Sequence, residues 1–300
     1  MKRVCCPLCG VDNSVEQYSS TRSEPDIDAN TVYRCTSPAL AKHGPIERCL
    51  DCGMVYANPQ PEDTDFMTAY RDVEDPDYLE QSRGRELTYA RVLVELDRFV
   101  KPPGKLLDIG CYTGVFLKIA AETGWNVEGI EPSEWAACIT RRAGPWTVHN
   151  CALQEAKLTP ASFDIISLWD VIEHLPRPCD ALRSCAEILR PGGILALGTH
   201  LLDSLAPRLM GTKYPFLMDM HPVHFTHQTI SRALVQAGFE VLAITPHRRI
   251  VMLAYLLERL GHVVPFSGPL LRLLLRIPKL DDQAVTVRGV GLFNVYARKP

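Results

Sequence analysis

The chain has 300 residues, of which 46% are hydrophobic and 22% are charged, and its formal net charge is −3. These proportions are those of a globular protein with a sizeable core, and the charge argues against a nucleic-acid partner. The N-terminal MKRVCCPLCG lacks the apolar stretch of a signal peptide, and the longest uncharged apolar runs fall far short of the ~18 residues of a membrane span. We therefore expect a cytoplasmic protein.

Six of the eleven cysteines fall within the first 52 residues. Four of these form two Cys-x-x-Cys pairs, Cys6/Cys9 and Cys49/Cys52, and glycine follows each pair. Without an export signal, this pattern favours a metal site over disulfides. Two such turns supply four thiolates, the tetrahedral ligand set of a structural Zn²⁺. The alternative is four unrelated buried or free cysteines. We expect a zinc ribbon in residues 1–60.

Most of the remaining chain alternates between strand and helix patterns. Residues 61–103 are charged and have apolar positions at helical spacing, as in TYARVLVELDRFV. From residue 104 to 246, the apolar strands KLLDIG, NVEGIEP, FDIISLWD and ILALGTH are separated by helical segments. Such alternation with short connections predicts a mainly parallel sheet with helices on both faces. Residues 247–280 differ, because six basic residues and one acid, Glu258, are spread among apolar residues.

The segment KLLDIGCYTGVFL joins an apolar strand to a helix through a glycine turn. Gly110 and Gly114 allow a sharp turn and a close approach to a ligand, and the helix N-terminus offers free N–H groups to an anion. The spacing differs from the dinucleotide fingerprint G-x-G-x-x-G. Glu131 ends the next strand, where a carboxylate can accept hydrogen bonds from two ribose hydroxyls. Tyr112 occupies the middle of the turn, where a small residue is usual.

Further motifs surround this turn: Cys151-Ala-Leu, Trp169-Asp170, Glu173-His174-Leu175 and LRPGGIL. Together they resemble the class I S-adenosylmethionine (SAM)-dependent methyltransferases. The nearest resemblance is to a small bacterial group of sugar and natural-product methyltransferases with an N-terminal zinc ribbon, CPxCG … RCxxCGxVYxNPxP, which reads RCLDCGMVYANPQP here. The resemblance covers nearly the whole chain and is least diagnostic over residues 61–100 and 247–285.

The resemblance implies an α/β fold, a Rossmann-like seven-stranded methyltransferase sheet whose antiparallel last strand lies in GLFNVYARKP. It also implies a small N-terminal zinc-ribbon domain. The expected organisation is a zinc ribbon at 1–60, a helical linker or cap at 61–103, and a SAM-dependent methyltransferase domain at 104–300, with a lid insert at 201–226 and a Leu/Arg-rich helical insert at 247–285.

The implied cofactor is SAM. Its expected binding residues are Asp108, Gly110, Tyr112, Gly114, Glu131, Pro132, Ala152, Leu153, Trp169 and Asp170. The glycine loop would hold the methionyl part, Asp108 would fix the loop or the amino group, and Glu131 would bind the ribose. Pro132 with Ser133, and Ala152 with Leu153, would flank the adenine, and Trp169 and Asp170 would close the site near the methyl group. We expect Tyr112 to adopt an allowed φ with its ring over the cofactor or facing the acceptor. The alternatives are packing on the linker helix or a site that no longer binds cofactor.

Methyl transfer needs orientation, desolvation and, for a hydroxyl or amine acceptor, a general base. The candidate bases are His174, after the strand that borders the methyl group, and His221 in DMHPVHFT. Their alternatives are a structural role for the Glu-His pair and packing at a helix start. His224 is a weaker third candidate. His200, at the end of ILALGTH, either faces the acceptor or is a polar strand end.

The implied acceptor is a small molecule or a glycan-type compound, including a nucleotide- or lipid-linked sugar, methylated on oxygen, carbon or nitrogen. The mixed composition of residues 201–220 suits an acceptor with apolar and hydroxylated parts. Residues 247–280 either pack on the sheet or in a homodimer, or contact a membrane peripherally. The alternative function is a non-catalytic SAM-binding module that recruits a partner enzyme. Methylation of RNA is disfavoured by the charge.

Overall fold

A computed structural model describes residues 1–22, 34–36, 40–253, 255–256 and 283–300. The strands are β1 (Ser14–Tyr18), β2 (Ile46–Cys49), β3 (Val55–Ala57), β4 (Lys105–Ile109), β5 (Asn126–Ile130), β6 (Thr147–His149), β7 (Phe163–Trp169), β8 (Leu189–His200), β9 (Val223–His224), β10 (Glu240–Pro246), β11 (Arg249–Met252), β12 (Ala284–Val287) and β13 (Leu292–Arg298). The α-helices are α1 (Asp63–Arg71), α2 (Ser82–Leu96), α3 (Val115–Glu122), α4 (Glu134–Ala143), α5 (Pro178–Ile188), α6 (Leu205–Met210) and α7 (His227–Gln236).

A seven-stranded sheet in the order β10-β13-β8-β7-β4-β5-β6 forms the centre of the molecule. Strands β4 to β8 pair in parallel, whereas β13 is antiparallel to both β8 and β10. The apolar strands β4 and β7 are buried along almost their whole length, as parallel strands between two helical layers must be. The structure confirms the predicted α/β fold and its antiparallel last strand. It also locates β6, a three-residue strand that the sequence analysis did not identify.

Short-range signals set where the flanking helices begin. The Ser133 hydroxyl accepts a hydrogen bond from Ala136 N at 3.2 Å and caps α4, and Thr226 caps α7 through Thr229 N. α2 packs against α3 on one side of the sheet, and α5 packs against α7. Of the helices in the described ranges, none has the length and hydropathy of a membrane span.

The N-terminal segment forms a second sheet with the order β1-β2-β3-β9, antiparallel throughout. Its last strand, β9, comes from the expected lid: Val55 pairs with His224, and Tyr56 with Val223. Buried residues of the cysteine-containing segment and of the seven-stranded sheet belong to one continuous apolar cluster. The N-terminal sheet is therefore packed onto the body, and the domain division at residue 60 remains a prediction.

The expectation of a helical insert over residues 247–285 was wrong at both ends. Arg249–Met252 and Ala284–Val287 pair as antiparallel strands, β11 and β12. β-branched residues dominate both strands, and β11 is held against α2 because Ile250 N donates to Thr88 Oγ1 at 2.8 Å. Residues 254 and 257–282 lie outside the described residues. They include most of the basic side chains expected to contact a membrane or a second subunit.

Candidate active site and cysteine cluster

The four predicted zinc ligands converge at one point. Cys6 Sγ lies 3.4 Å from Cys52 Sγ, and Cys9 Sγ lies 3.6 Å from Cys49 Sγ. All four sulfur atoms lie within 4.8 Å of one another. A Zn–S distance of about 2.3 Å in a regular tetrahedron places the sulfur atoms about 3.8 Å apart. The donor set and its spacing therefore fit a Zn²⁺ ion.

Each cysteine pair lies on a tight turn that ends in glycine. Gly10 N donates to Cys6 O at 2.8 Å, and Gly53 N donates to Cys49 O at 3.0 Å. Both glycines adopt a positive φ, 76° and 77°, and no atom lies within 4 Å of a Cβ added at either position. The backbone conformation, rather than lack of space, therefore favours glycine in these two turns.

The glycine turn after β4 depends on both of its glycines. Gly110 has a φ of 70°, and a Cβ added there would lie 2.6 Å from Val171 Cγ2. Gly114 has a φ of 77° and caps α3, and a Cβ added there would lie 2.7 Å from Thr140 Cγ2. At both positions a side chain would be strained and would also collide with a neighbour.

Tyr112 does not have the unstrained backbone that we expected. Its φ is 46°, in the left-handed region, which costs a non-glycine residue about 1–2 kcal/mol. Two hydrogen bonds hold it there: Tyr112 N donates to Glu131 Oε2 at 2.9 Å, and Thr140 Oγ1 donates to Tyr112 O. Its ring packs edge-on against Tyr78, with centroids 4.5 Å apart, and lies 6.0 Å from Trp135.

Glu131 lies behind the glycine turn and is fully buried. One carboxylate oxygen accepts from Tyr112 N, and the other accepts from Ser133 N at 2.8 Å. Burial raises the pKa of Glu131 to about 7. The carboxylate thus ties the turn to the start of α4.

A cavity of about 260 Å³ opens at the carboxyl ends of β4 and β7, where open α/β sheets bind ligands. Ten predicted residues line it: Asp108, Gly110, Tyr112, Pro132, Ala152, Leu153, Trp169, Asp170, His174 and His221. Of the predicted cofactor residues, Gly114, Glu131 and Ser133 lie off its wall. Two of the expectations for Tyr112 therefore hold together. Its ring packs against Tyr78 of the linker segment, and the residue also lines the cavity.

Asp108 is the penultimate residue of β4 and lies at the floor of the cavity. Its side chain accepts a hydrogen bond from Ser167 Oγ at 2.6 Å and is almost fully buried. Burial, together with the nearby Glu131 carboxylate, raises the pKa of Asp108 to about 8. A cationic ligand group beside it would favour the ionised form.

The two candidate bases lie side by side on the cavity wall. Their ring centroids are 4.6 Å apart. His174 Nδ1 lies 2.9 Å from Met220 O, and His221 Nδ1 lies 2.8 Å from Phe216 O. A carbonyl at Nδ1 favours the tautomer whose Nε2 carries a lone pair. Burial and His174 keep the pKa of His221 well below its ordinary value, so its ring is neutral.

The weaker candidates, His200 and His224, are fully buried and lie off the cavity wall. His200 Nε2 is 2.9 Å from His224 Nδ1, and His200 Nδ1 is 3.7 Å from Glu173 Oε1. His200 is thus a polar residue at the end of a strand, as one alternative predicted, and it belongs to a buried cluster with His224 and Glu173.

The sequence analysis missed one aromatic and basic wall of the cavity. It consists of Tyr78, Arg85, Tyr89, Phe216, Met218 and Arg249. Arg85 Cζ lies 3.4 Å from the centroid of the Tyr78 ring, a cation–π contact. Tyr89 follows Arg85 by one helical turn, and this i, i+4 spacing was the available signal for a shared face.

A family model described as a methyltransferase domain matches residues 82–244, more than half of the chain. The chain belongs to this methyltransferase family. The match runs from α2 to β10, so it includes the glycine turn, Glu131 and both candidate bases.

Curated relatives are similar over part of their length. The ubiquinone biosynthesis O-methyltransferase of Pseudomonas aeruginosa (strain UCBPP-PA14) is 33% identical over 101 residues, which is 32% of this chain and 44% of the relative. The enzyme of the same name from Azoarcus sp. (strain BH72) is 32% identical over 155 residues, 47% of this chain and 66% of the relative. The chain spans less than two thirds of the length of these methyltransferases.

Solved structures share the fold at low sequence identity. One is a chain of the complex between the Trm112 methyltransferase activator of Haloferax volcanii and a methyltransferase, with a TM-score of 0.54 and 14% identity over 76% of this chain and 100% of that one. Another is a protein assigned as a methyltransferase from Bacillus halodurans C-125, with a TM-score of 0.51 and 17% identity over 71% of this chain and 98% of that one.

Proposed function

We propose that this protein is a SAM-dependent methyltransferase that transfers a methyl group to an oxygen atom of a small acceptor. The observation that carries the proposal is the cavity at the ends of β4 and β7, which is lined by the glycine turn in a chain of the methyltransferase family. The names of the curated relatives favour O-methylation.

The cofactor side of the cavity would be the part formed by the glycine turn, Pro132, Ala152 and Leu153. SAM supplies the electrophilic methyl group. The Asp108 carboxyl would ionise beside the amino group of the cofactor. Glu131, behind the wall, would hold the glycine turn and the start of α4 in place around the ribose.

The acceptor side would be the wall that carries Trp169, Tyr89, Phe216 and the two candidate bases. Aromatic side chains favour a planar acceptor, and the guanidinium groups of Arg85 and Arg249 favour one with an anionic substituent. We therefore propose a hydroxylated aromatic acid as the acceptor class. The lone pair at Nε2 of His174 or His221 would accept the hydroxyl proton while the methyl carbon passes from the sulfonium sulfur to the oxygen, which leaves S-adenosylhomocysteine as the neutral product.

Calorimetric binding of S-adenosylhomocysteine tests the cofactor site. We expect wild type to bind and Glu131→Ala to lose affinity by tenfold or more, about 1.4 kcal/mol. Glu122→Ala, a change at an exposed carboxylate at the end of α3, is the matched control and should bind like wild type. The affinity of Tyr112→Gly for S-adenosylhomocysteine measures what the Tyr112 ring contributes to binding. Wild type that does not bind would contradict the proposal and favour the non-catalytic assembly module.

Methyl transfer from labelled SAM to a panel of acceptors tests the chemistry. The panel contains hydroxylated aromatic acids, amines, and nucleotide- and lipid-linked sugars, so a glycan acceptor or N-methylation is a distinct outcome. Once an acceptor has been identified, we expect replacement of the histidine that acts as the general base by Gln to lower turnover about 10²–10⁴-fold. His174→Gln and His221→Gln are compared, and S-adenosylhomocysteine affinity should remain that of wild type in both. Equal turnover in both variants and wild type would exclude a histidine base.

A further inference from the structure

Three histidines from two segments of the chain meet in the interior, where β8 ends against β9. His200, His221 and His224 have exposed fractions of 0%, 4% and 0%. Three ring nitrogens, one from each histidine, lie within 4.8 Å of one another. The closest pair is His200 Nε2 and His224 Nδ1, at 2.9 Å. Burial of three imidazoles in one spot needs a reason, because each brings polar atoms out of water.

A buried carboxylate lies next to this cluster and is incompletely paired. Glu173 is 2% exposed, and its Oε1 lies 3.7 Å from His200 Nδ1, too far for a hydrogen bond. Within the described part of the chain, Glu173 Oε2, His200 Nδ1 and His224 Nε2 have no hydrogen-bond partner. These unpaired polar atoms lie beside the three imidazoles in the interior, where polar atoms are normally paired.

We infer that His200, His221 and His224 form a second metal site, for Zn²⁺ or another divalent transition ion. Three imidazoles are a ligand set of catalytic zinc sites, which keep a further position for water or a ligand. Zn–N distances of about 2.0–2.1 Å place ligand nitrogens about 3.3 Å apart, so each separation in the cluster would change by at most about 1.5 Å.

The surrounding contacts orient the rings as a metal site requires. His221 Nδ1 faces Phe216 O at 2.8 Å, which leaves Nε2 for the ion. With an ion at His221, the base of the proposed reaction would be His174. Metal coordination at His200 Nε2 places the proton on Nδ1, towards the Glu173 carboxylate. This is the carboxylate–histidine–metal arrangement that fixes the tautomer of a ligating imidazole. Glu173 is a positioning residue in this site, and the ion would balance its charge.

The competing arrangement contains no metal and has a buried imidazolium of His200 paired with Glu173. In it, His200 Nε2 and His224 Nδ1 share a hydrogen bond at 2.9 Å without an ion. Metal stoichiometry separates the two arrangements and requires neither acceptor nor turnover, so the result does not depend on the proposed function.

The test is the zinc content of the full chain after incubation with excess Zn²⁺ and gel filtration. We expect two equivalents in wild type and one in His221→Gln, in which the cysteine cluster retains its ion and reports that the N-terminal sheet is folded. His174→Gln is the matched control, because His174 lies next to His221 on the same wall but outside the set of three. It should keep two equivalents.

Affinity provides the second readout. Glu173→Gln should retain the site but bind its second Zn²⁺ about 10–100-fold more weakly, the usual cost of losing the group that orients a ligand. His221→Cys, which exchanges one ligand for another, should restore the second equivalent that His221→Gln loses. The inference is overturned if wild type holds one equivalent under saturating Zn²⁺ or Co²⁺, or if His221→Gln keeps two.

Discussion

The buried carboxyl of Asp108 leads to a quantitative prediction about stability and pH. Its pKa rises from 3.8 to about 8 on folding, chiefly because the side chain is buried. Between these values the folded protein binds one proton more than the unfolded chain, so the free energy of unfolding falls as pH rises. The slope is up to about 1.4 kcal/mol per pH unit. From about pH 5 to about pH 7, the proton that folded Asp108 retains should therefore lower the wild type's free energy of unfolding by about 2–3 kcal/mol.

Asp108→Asn removes this proton while keeping an acceptor for the hydrogen bond from Ser167 Oγ. We expect its free energy of unfolding, measured by urea denaturation, to rise relative to wild type by about 2–3 kcal/mol over the same pH range. Asp97→Asn, at an exposed position just after α2, is the control and should follow wild type at every pH. Parallel curves for Asp108→Asn and wild type would refute the raised pKa and the assignment of a neutral carboxyl to the cavity floor.

Two further predictions concern the turns and the cysteine cluster. Gly114→Ala and Gly192→Ala place alanine at the same φ of 77°, but only the Cβ at position 114 meets another side chain. Both should lose about 1–2 kcal/mol of unfolding free energy to backbone strain, and Gly114→Ala about 1–3 kcal/mol more; equal losses in urea denaturation would contradict the collision. Elemental analysis should find one Zn²⁺ equivalent fewer in a Cys6→Ser, Cys49→Ser double variant. Cys5→Ser, a change at an exposed cysteine, should keep the wild-type content, and unchanged zinc in the double variant would exclude the ribbon site.

The parts of the site that depend on local backbone chemistry were predictable from the sequence. A glycine must occupy a position at which φ is positive and a neighbour approaches closely, so G-x-Y-x-G after an apolar strand identifies the turn by itself. The spacing within Cys-x-x-Cys-Gly likewise brings two sulfur atoms to one turn before any long-range contact forms. Both features appear in the structure as the sequence analysis described them.

The parts that depend on long-range contacts were not predictable. Tyr112 is held at a positive φ by Glu131 and Thr140, which follow it by 19 and 28 residues. Nothing in the turn itself indicates that two hydrogen bonds will offset the strain. The pairing of β9 with β3 is a contact of the same kind, because a two-residue strand leaves no periodic pattern in the sequence.

This pairing connects the cysteine cluster to the proposed acceptor side of the cavity. Ala57 N and Gln60 Nε2 both donate to Pro222 O, at 2.9 Å and 3.2 Å, between His221 and His224. A structural ion in the cysteine cluster contributes to the folding free energy of the strands it joins. Because those strands hold the backbone that carries two members of the histidine cluster, an ion at the cysteines would stabilise the cavity wall without touching cofactor or acceptor. An ion at the cysteine cluster would thus have a physical role in this architecture, because it would support the segment that carries His221 and His224.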